Sequence, residues 1–289
     1  MRLHLLDATY ELFRAFYGPP GRFAPDGLEV GAIAGLLETT FQLLHEPGVT
    51  HVAAATDTII ESFRNDMYDG YKTGEGIEPE LWAQFPLAER ALEAAGVVVW
   101  RMEEFEADDA LATAALKYVD DVDQVIICTP DKDAAQCVLD RKVVMLDRRR
   151  QVVIDEEGVW EKWGVGPVSI PDYLALVGDA ADGIPGITGW GAKSSSKLLA
   201  RYTRLDDIPA DESEWEVTVR GAARLGANLR ANLDDALLFR TLTTLRRDVP
   251  LPESFDDLEW KGARRVPFLE LCEELGFDGL KDRPRRWQD

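Results

Sequence analysis

Histidine and cysteine are scarce in this chain, at three each among 289 residues. The cysteines, Cys128, Cys137 and Cys272, are scattered and odd in number, with no CxxC pair. They read as reduced or buried thiols of a cytoplasmic protein rather than as a disulfide framework. His4, His45 and His51 supply histidine-based catalysis poorly, and His4 after Leu3 reads as a strand residue. There is no HExxH and no GxSxG. No run approaches the roughly 20 apolar residues that a membrane helix needs. Asp7 and Glu11 interrupt the early apolar stretch, so no N-terminal signal is visible. Basic charge is short as well: Lys and Arg total 32 against 53 Asp and Glu, a net charge of −21. That surplus argues against a polyanionic partner unless metal ions and a local basic strip offset it. Acid on the remaining surface aids solubility.

What is present is apolar core material, 46% of the residues, enough for one large domain or two smaller ones. The first half alternates short apolar runs with helical spacing. LHLL (3–6), HVAAAT (51–56), VVVW (97–100), QVIICT (124–129) and KVVML (142–146) predict strands. Residues 29–45 place Val30, Ile33, Leu36, Leu37, Phe41 and Leu44 on one helix face, and 80–95 and 107–118 read as helices. This alternation predicts an α/β fold with a parallel sheet and helices on both faces. Ligands of such sheets sit at the carboxyl ends of the strands. After about residue 150 no strong strand run follows. Helices are predicted over 172–178, 191–202, 228–246 and 267–275, and the tail 283–289 is read as frayed. The domain reading is a core over 1–165 carrying an arch segment at 61–85, and a helical region over 166–289.

Nine carboxylates fall in clusters, most of them just after apolar runs. Asp7 follows LHLL, and Asp57 follows HVAAAT. Glu106, Asp108 and Asp109 stand in FEADDALA, Asp131 and Asp133 in DKD, and Asp179 and Asp182 in GDAADGIPG. Each cluster has an ordinary alternative. Acids in the first turn of a helix cap it, DKD could be a solvated turn, and GDAAD could be the C-terminal turn of a helix. Together they suggest a divalent-metal site, because hard cations offset so much negative charge. Gly186, Gly189 and Gly191 allow a tight hairpin before a helix starting near Lys193, a place where backbone amides can hold a phosphate. GWGAKS is not a nucleotide P-loop, because Ala192 separates Gly191 from Lys193 and no strand precedes it. Arg14, Arg64, Lys72, Lys193 and Lys197 are the cations that could face a phosphodiester. Tyr68 and Tyr71 could stack on a base or serve packing.

These motifs, in order, resemble the bacterial 5′–3′ exonuclease and flap endonuclease family. Asp7 with RAFYG (14–18), SFR (62–64), YK (71–72), FEADDALA, DKD, LVGDAADGIPGITGWGAK and LRRDVPL (245–251) carry the similarity across residues 1 to about 280. The resemblance implies a PIN-like nuclease core followed by a helix-three-turn-helix of the helix-hairpin-helix type. It implies that Asp7, Asp57, Glu106, Asp108, Asp109, Asp131, Asp133, Asp179 and Asp182 bind two or three Mg²⁺ or Mn²⁺ ions, and that the glycine hairpin takes K⁺. By the same resemblance Lys72 and Arg14 contact the scissile phosphate and Tyr71 helps terminal nucleotides unpair. Arg64, Gly186, Gly189, Gly191, Lys193 and Lys197 meet the DNA backbone. The implied partner is DNA with a 5′ flap or 5′ end, or an RNA–DNA hybrid. The implied form is a cytoplasmic monomer working with a separate polymerase, without a membrane.

Two departures stand out. Glu75 occupies a position where the family carries Arg, and Pro130 stands where a Gly usually precedes DKD. The segment 64–80 sets Asp66, Asp69, Glu75, Glu78 and Glu80 against Arg64 and Lys72. A basic arch threads a 5′ strand, whereas this one is acidic. The alternative reading is therefore a weakly active or non-catalytic binder of branched DNA.

Overall fold

The computed structural model describes residues 1–18 and 21–288. In chain order the elements are β1 (Arg2–Asp7), α1 (Ala8–Phe16), α2 (Gly31–Leu44), β2 (His51–Asp57), α3 (Pro79–Trp82), α4 (Phe85–Ala94), β3 (Val98–Met102), α5 (Ala107–Lys117) and β4 (Gln124–Cys128). There follow β5 (Val143–Asp147), β6 (Val152–Ile154), α6 (Glu156–Trp163), α7 (Ile170–Val177), α8 (Ala192–Tyr202), α9 (Ala222–Ala231) and α10 (Leu233–Thr243). The chain closes with β7 (Ala263–Arg264), α11 (Arg265–Glu274) and β8 (Trp287–Gln288). None of the described helices is long and apolar enough to cross a membrane. Packing divides the chain into two compact units.

The first unit takes residues 1–62, 74–129 and those from Arg247 onward. Its strands β3, β2, β1 and β4 pair in parallel in that order, with Leu6 opposite Ala54 and Cys128. Leu3, Leu5 and Leu6 are fully buried, and so are Ala53, Ala54 and Ala55 on β2. Period-2 side chains buried without alternation mean that both faces of these strands are covered. Helix α5 packs on β1, β2 and β3, while α4 lies against β3. Helix α1, absent from the sequence reading, starts because Asp7 Oδ1 accepts from Tyr10 N at 2.9 Å, the geometry of an N-cap. The single helix predicted over 80–95 is two, α3 and α4. Pro86 stands at the start of α4, and a proline nitrogen cannot bond back into a preceding helix. The tail is not frayed through Gln288: β8 pairs with β7, and the Trp287 ring meets Phe268 edge-on at 5.9 Å. Asp289 lies outside the described residues.

The second unit takes residues 63–73 and 130–246. It contains a strand the sequence reading lacked. β6 pairs antiparallel with β5, Met145 facing Ile154 and Asp147 facing Val152. Three residues with Val152 and Val153 exposed give too weak a pattern to read. Helix α7, nearly all buried, packs on α8 and α10. The helix predicted over 228–246 breaks at Asn232, whose φ of −127° leaves the helical region. The Asn232 side-chain amide donates to Asn228 O at 2.7 Å, competing with the helix's own bonds. The segment 63–73 is tied down by Arg64, 1% exposed, which donates from Nε to Leu242 O at 2.7 Å and from Nη2 to Thr244 O at 3.2 Å.

Candidate metal centres

In the first unit, Asp7 ends β1 and Asp57 ends the neighbouring parallel strand β2. Parallel pairing brings both carboxylates to the same edge of the sheet. Asp7 Oδ2 accepts from Thr129 Oγ1 at 2.8 Å. Asp57 Oδ1 accepts from Ala107 N at 2.7 Å, which docks the start of α5 on the end of β2. The Asp57 amide in turn donates to Thr9 Oγ1 at 2.8 Å. Glu106 caps α5, and its Oε1 accepts from Ser62 Oγ at 2.7 Å. Asp109, fully buried, accepts from the Glu106 amide at 3.0 Å. A capping role is therefore realised at Asp7 on α1 and at Glu106 with Asp109 on α5, while Asp7 and Glu106 also accept from hydroxyls and Asp57 from an amide. Asp108 is half-buried beside them in the first turn of α5.

The second unit assembles the other four. Asp131 Oδ1 accepts from Asp133 N at 2.9 Å. Helix α7 stops at Val177, so Asp179 and Asp182 stand beyond its end. They lie in a turn closed by paired backbone bonds of 2.8 Å between Asp179 and Ile184. One carboxylate oxygen each of Asp133, Asp179 and Asp182 lie within 4.8 Å of one another. Asp133 Oδ1 is buried and has no hydrogen-bond partner among the described residues. Burial, then the charges of Asp131, Asp182 and Asp179, push its carboxyl well above the usual range. Two lysines sit against this group. Lys132 Nζ is 2.6 Å from Asp179 Oδ2, and Lys72 Nζ is 3.1 Å from Asp182 Oδ1. Burial works to lower the Lys132 pKa, but the hydrogen bond and charge of Asp179 outweigh it and raise it.

Lys72 owes its place to a glycine. Lys72 N donates to Asp182 O at 3.1 Å, and a Cβ on Gly183, at φ +75°, would stand 2.0 Å from Gly70 O. Only a residue without a side chain allows the two backbones this close. Tyr71, 4% exposed, is buried rather than presented for stacking, with the Lys72 ammonium 5.6 Å from its ring centre. Tyr68 packs edge-on against Phe239 at 5.7 Å. Arg64 is buried, its guanidinium donating to backbone carbonyls of the interior. Arg14 Nε donates to buried Glu11 Oε2 at 3.1 Å, leaving the side chain 28% exposed.

At the glycine hairpin, Gly186 and Gly189 have φ of +70° and +85°, and Gly191 is extended. Gly191 N donates to Ser194 Oγ at 3.1 Å, which sets the first turn of α8. Lys193 and Lys197, four residues apart, share an exposed face of α8. Ser195 Oγ is buried on the other side with no partner among the described residues. Acidic residues 66, 69, 75, 78 and 80 are all exposed.

Sequence reasoning missed Thr9, Ser62, Thr129, Lys132 and Gly183. Their roles depend on partners tens of residues away. Lys132 alone carried a local signal, because a cation between two clustered aspartates is placed to offset them.

Comparison with known proteins gives a consistent result. Residues 2–164 match the family described as 5′-3′ exonuclease, N-terminal resolvase-like domain. Residues 165–266 match 5′-3′ exonuclease, C-terminal SAM fold. DNA polymerase I of Mycobacterium bovis is 36% identical over 287 residues, covering 97% of this chain and 31% of that protein. DNA polymerase I of Bacillus subtilis is 30% identical over 286 residues, covering 98% and 32%. The chain thus spans about a third of the length of these relatives. Among solved structures, the bacteriophage T5 flap endonuclease, in a complex with DNA and metal ions, aligns at a TM-score of 0.67 and 18% identity. That alignment covers 84% of this chain and 89% of the other. The catalytic core of Rad2 in complex with a DNA substrate aligns at 0.59 and 16%, covering 95% and 88%. At these identities the structures establish the fold: a mixed α/β core with a mainly parallel sheet, followed by a helical domain.

Proposed function

The chain belongs to the 5′-3′ exonuclease family, and on that premise we propose that it is a divalent-metal-dependent 5′-nuclease that hydrolyses DNA phosphodiester bonds at 5′ ends and 5′ flaps. The observation that carries this is the second unit's aspartate group. A buried carboxylate oxygen without a partner, beside two more carboxylates within 4.8 Å, is a poor arrangement for a metal-free protein and a fitting one for a hard cation. The donors are all carboxylate oxygens, which suit Mg²⁺ or Mn²⁺ over softer metals. Asp131, Asp133, Asp179 and Asp182 would hold ions in one unit, and Asp7, Asp57, Glu106, Asp108 and Asp109 in the other. Bound divalent ions supply an activated water and stabilise charge on the leaving oxygen.

The remaining roles belong to the chain itself. Lys72, beside Asp182, holds a phosphate oxygen, and Arg14 supports the same charge. Lys193 and Lys197, with the backbone of the glycine hairpin, take duplex phosphates without reading sequence. A K⁺ ion would be held at the glycine hairpin. The core and arch fall within 1–165 and the duplex-gripping region within 166–289. The enzyme acts as a cytoplasmic monomer, and RNA–DNA hybrids fall within its reach.

One observation favours a second reading. The exposed acids of 64–80 repel a single strand, which would leave a branched-DNA binder of low activity. A 5′-labelled flap duplex separates the two, incubated with Mg²⁺, with Mn²⁺ and with chelator. Metal-dependent cleavage near the junction, lost in Asp131→Ala, supports the nuclease. Flap binding in Ca²⁺ without cleavage in Mg²⁺ or Mn²⁺ supports the binder.

A further inference from the structure

The hairpin joining β5 to β6 carries three consecutive arginines, Arg148, Arg149 and Arg150, in a chain whose net charge is −21. The turn is built to a fixed shape. Asp147 Oδ1 accepts from the amides of both Arg149 and Arg150 at 3.0 Å. Gln151, at φ +56°, donates from its side-chain amide to Arg148 O at 2.7 Å. The backbone is thereby locked while the guanidiniums of Arg149 and Arg150 project into solvent. Arg150 pairs with Asp147 at 3.4 Å while its side chain stays 76% exposed.

A fourth cation joins it. Lys162 on α6 is exposed, with its ammonium 4.3 Å from the centre of the Trp163 ring. Desolvation first, and then the charge of Arg150, lower its pKa, while Asp147 and Asp131 raise it. Helix α6 packs against β6, and β5 packs against the turn Asp133–Cys137, so Lys162, the arginine turn and the aspartate group lie on elements packed together within the second unit. Exposed cations on this turn and on the helix packed against β6 are a concentration of positive charge that folding alone does not require.

We propose that Arg149, Arg150 and Lys162 form a phosphate-gripping patch that holds the sugar-phosphate backbone of the nucleic-acid substrate beside the second unit's aspartate group. The inference rests on the nuclease reading and adds a contact that the glycine hairpin and α8 do not provide. It also adds positive charge to a chain whose segment 64–80 is acidic. Such a contact is independent of sequence and depends on salt, because each neutralised phosphate releases condensed counterions.

The test measures binding of a flap duplex in Ca²⁺ across a series of salt concentrations. It compares wild type with the triple variant Arg149→Gln, Arg150→Gln and Lys162→Gln, and with a charge-keeping triple of Arg149→Lys, Arg150→Lys and Lys162→Arg. The glutamine variant is expected to bind about tenfold more weakly, and its salt slope to be shallower by about two to three. The charge-keeping variant is expected to retain the wild-type slope, with both variants melting within a few degrees of wild type. Equal affinity and slope in wild type and the glutamine variant would overturn the patch while leaving the nuclease reading intact. Wild type that binds no flap duplex at any salt would overturn both.

Discussion

Asp7, Asp57 and Glu106 in the first unit are held by Thr129, the Ala107 amide and Ser62, whereas Asp179 and Asp182 in the second face Lys132 and Lys72. Neutral donors aim a carboxylate but leave its charge in place. Lysines cancel charge and hold the group together until a stronger cation arrives. The difference follows from burial and crowding. Asp133 has three acidic neighbours and one unpartnered oxygen, so its group repels itself unless positive charge is close. On the proposed reading, hydroxyls and an amide orient carboxylates of the first set, and lysines offset charge in the second.

The largest effect should come from the residue that ties the Lys72 segment into the second unit. Arg64→Leu removes two buried bonds to carbonyls and is expected to lower stability by about 3 kcal/mol in denaturant unfolding. Wild-type stability in that variant would mean that the segment is held by other contacts.

Metal comes next. At a hundred times its dissociation constant, Mn²⁺ is expected to stabilise the protein by about 2.7 kcal/mol, seen as a rise in melting temperature. Asp133→Asn should lose most of that rise while melting higher than wild type without metal, since it removes a buried charge. An unchanged metal response in the variant would break the contrast between the two sets.

A paired comparison sharpens it. Thr129→Val strips the hydroxyl from Asp7, and Lys132→Met strips the ammonium from Asp179. Each is expected to cost about 1–2 kcal/mol without metal. Saturating Mg²⁺ should erase the Lys132→Met loss, because the ion replaces the charge, and leave the Thr129→Val loss, because it does not replace the aim. Equal rescue of both would show that the hydroxyl and the lysine do the same job.

The smallest effect lies at the helical DNA face. Lys197→Ala should leave the unfolding free energy within about 0.5 kcal/mol of wild type and make the salt slope of duplex binding shallower by about one. No change in the slope would remove Lys197 from the interface.

Much of this was legible in sequence because it is local. The buried runs LHLL and HVAAAT marked β1 and β2, and the acid at each end marked a strand terminus. The glycines of GDAADGIPGITGWG announced a turn whose backbone does take positive φ. Contacts made across the fold were not legible. Nothing near Arg64 shows that Leu242 and Thr244 will present their carbonyls to it, so a buried structural cation reads like a surface one. Gly183 is required because Gly70 passes it, 113 positions away in the chain. Short elements escaped for another reason: β6 has three residues, two of them exposed, and leaves no periodicity to detect.

The central claim is that the aspartate group of the second unit holds a divalent ion. Titration of the chelator-treated protein with Mn²⁺, following the loss of the free-ion electron paramagnetic resonance signal, tests it directly. Uptake by wild type that falls by at least one ion per chain in Asp133→Asn is the predicted result. Equal uptake by the two proteins, or none by wild type at millimolar Mn²⁺, would contradict it.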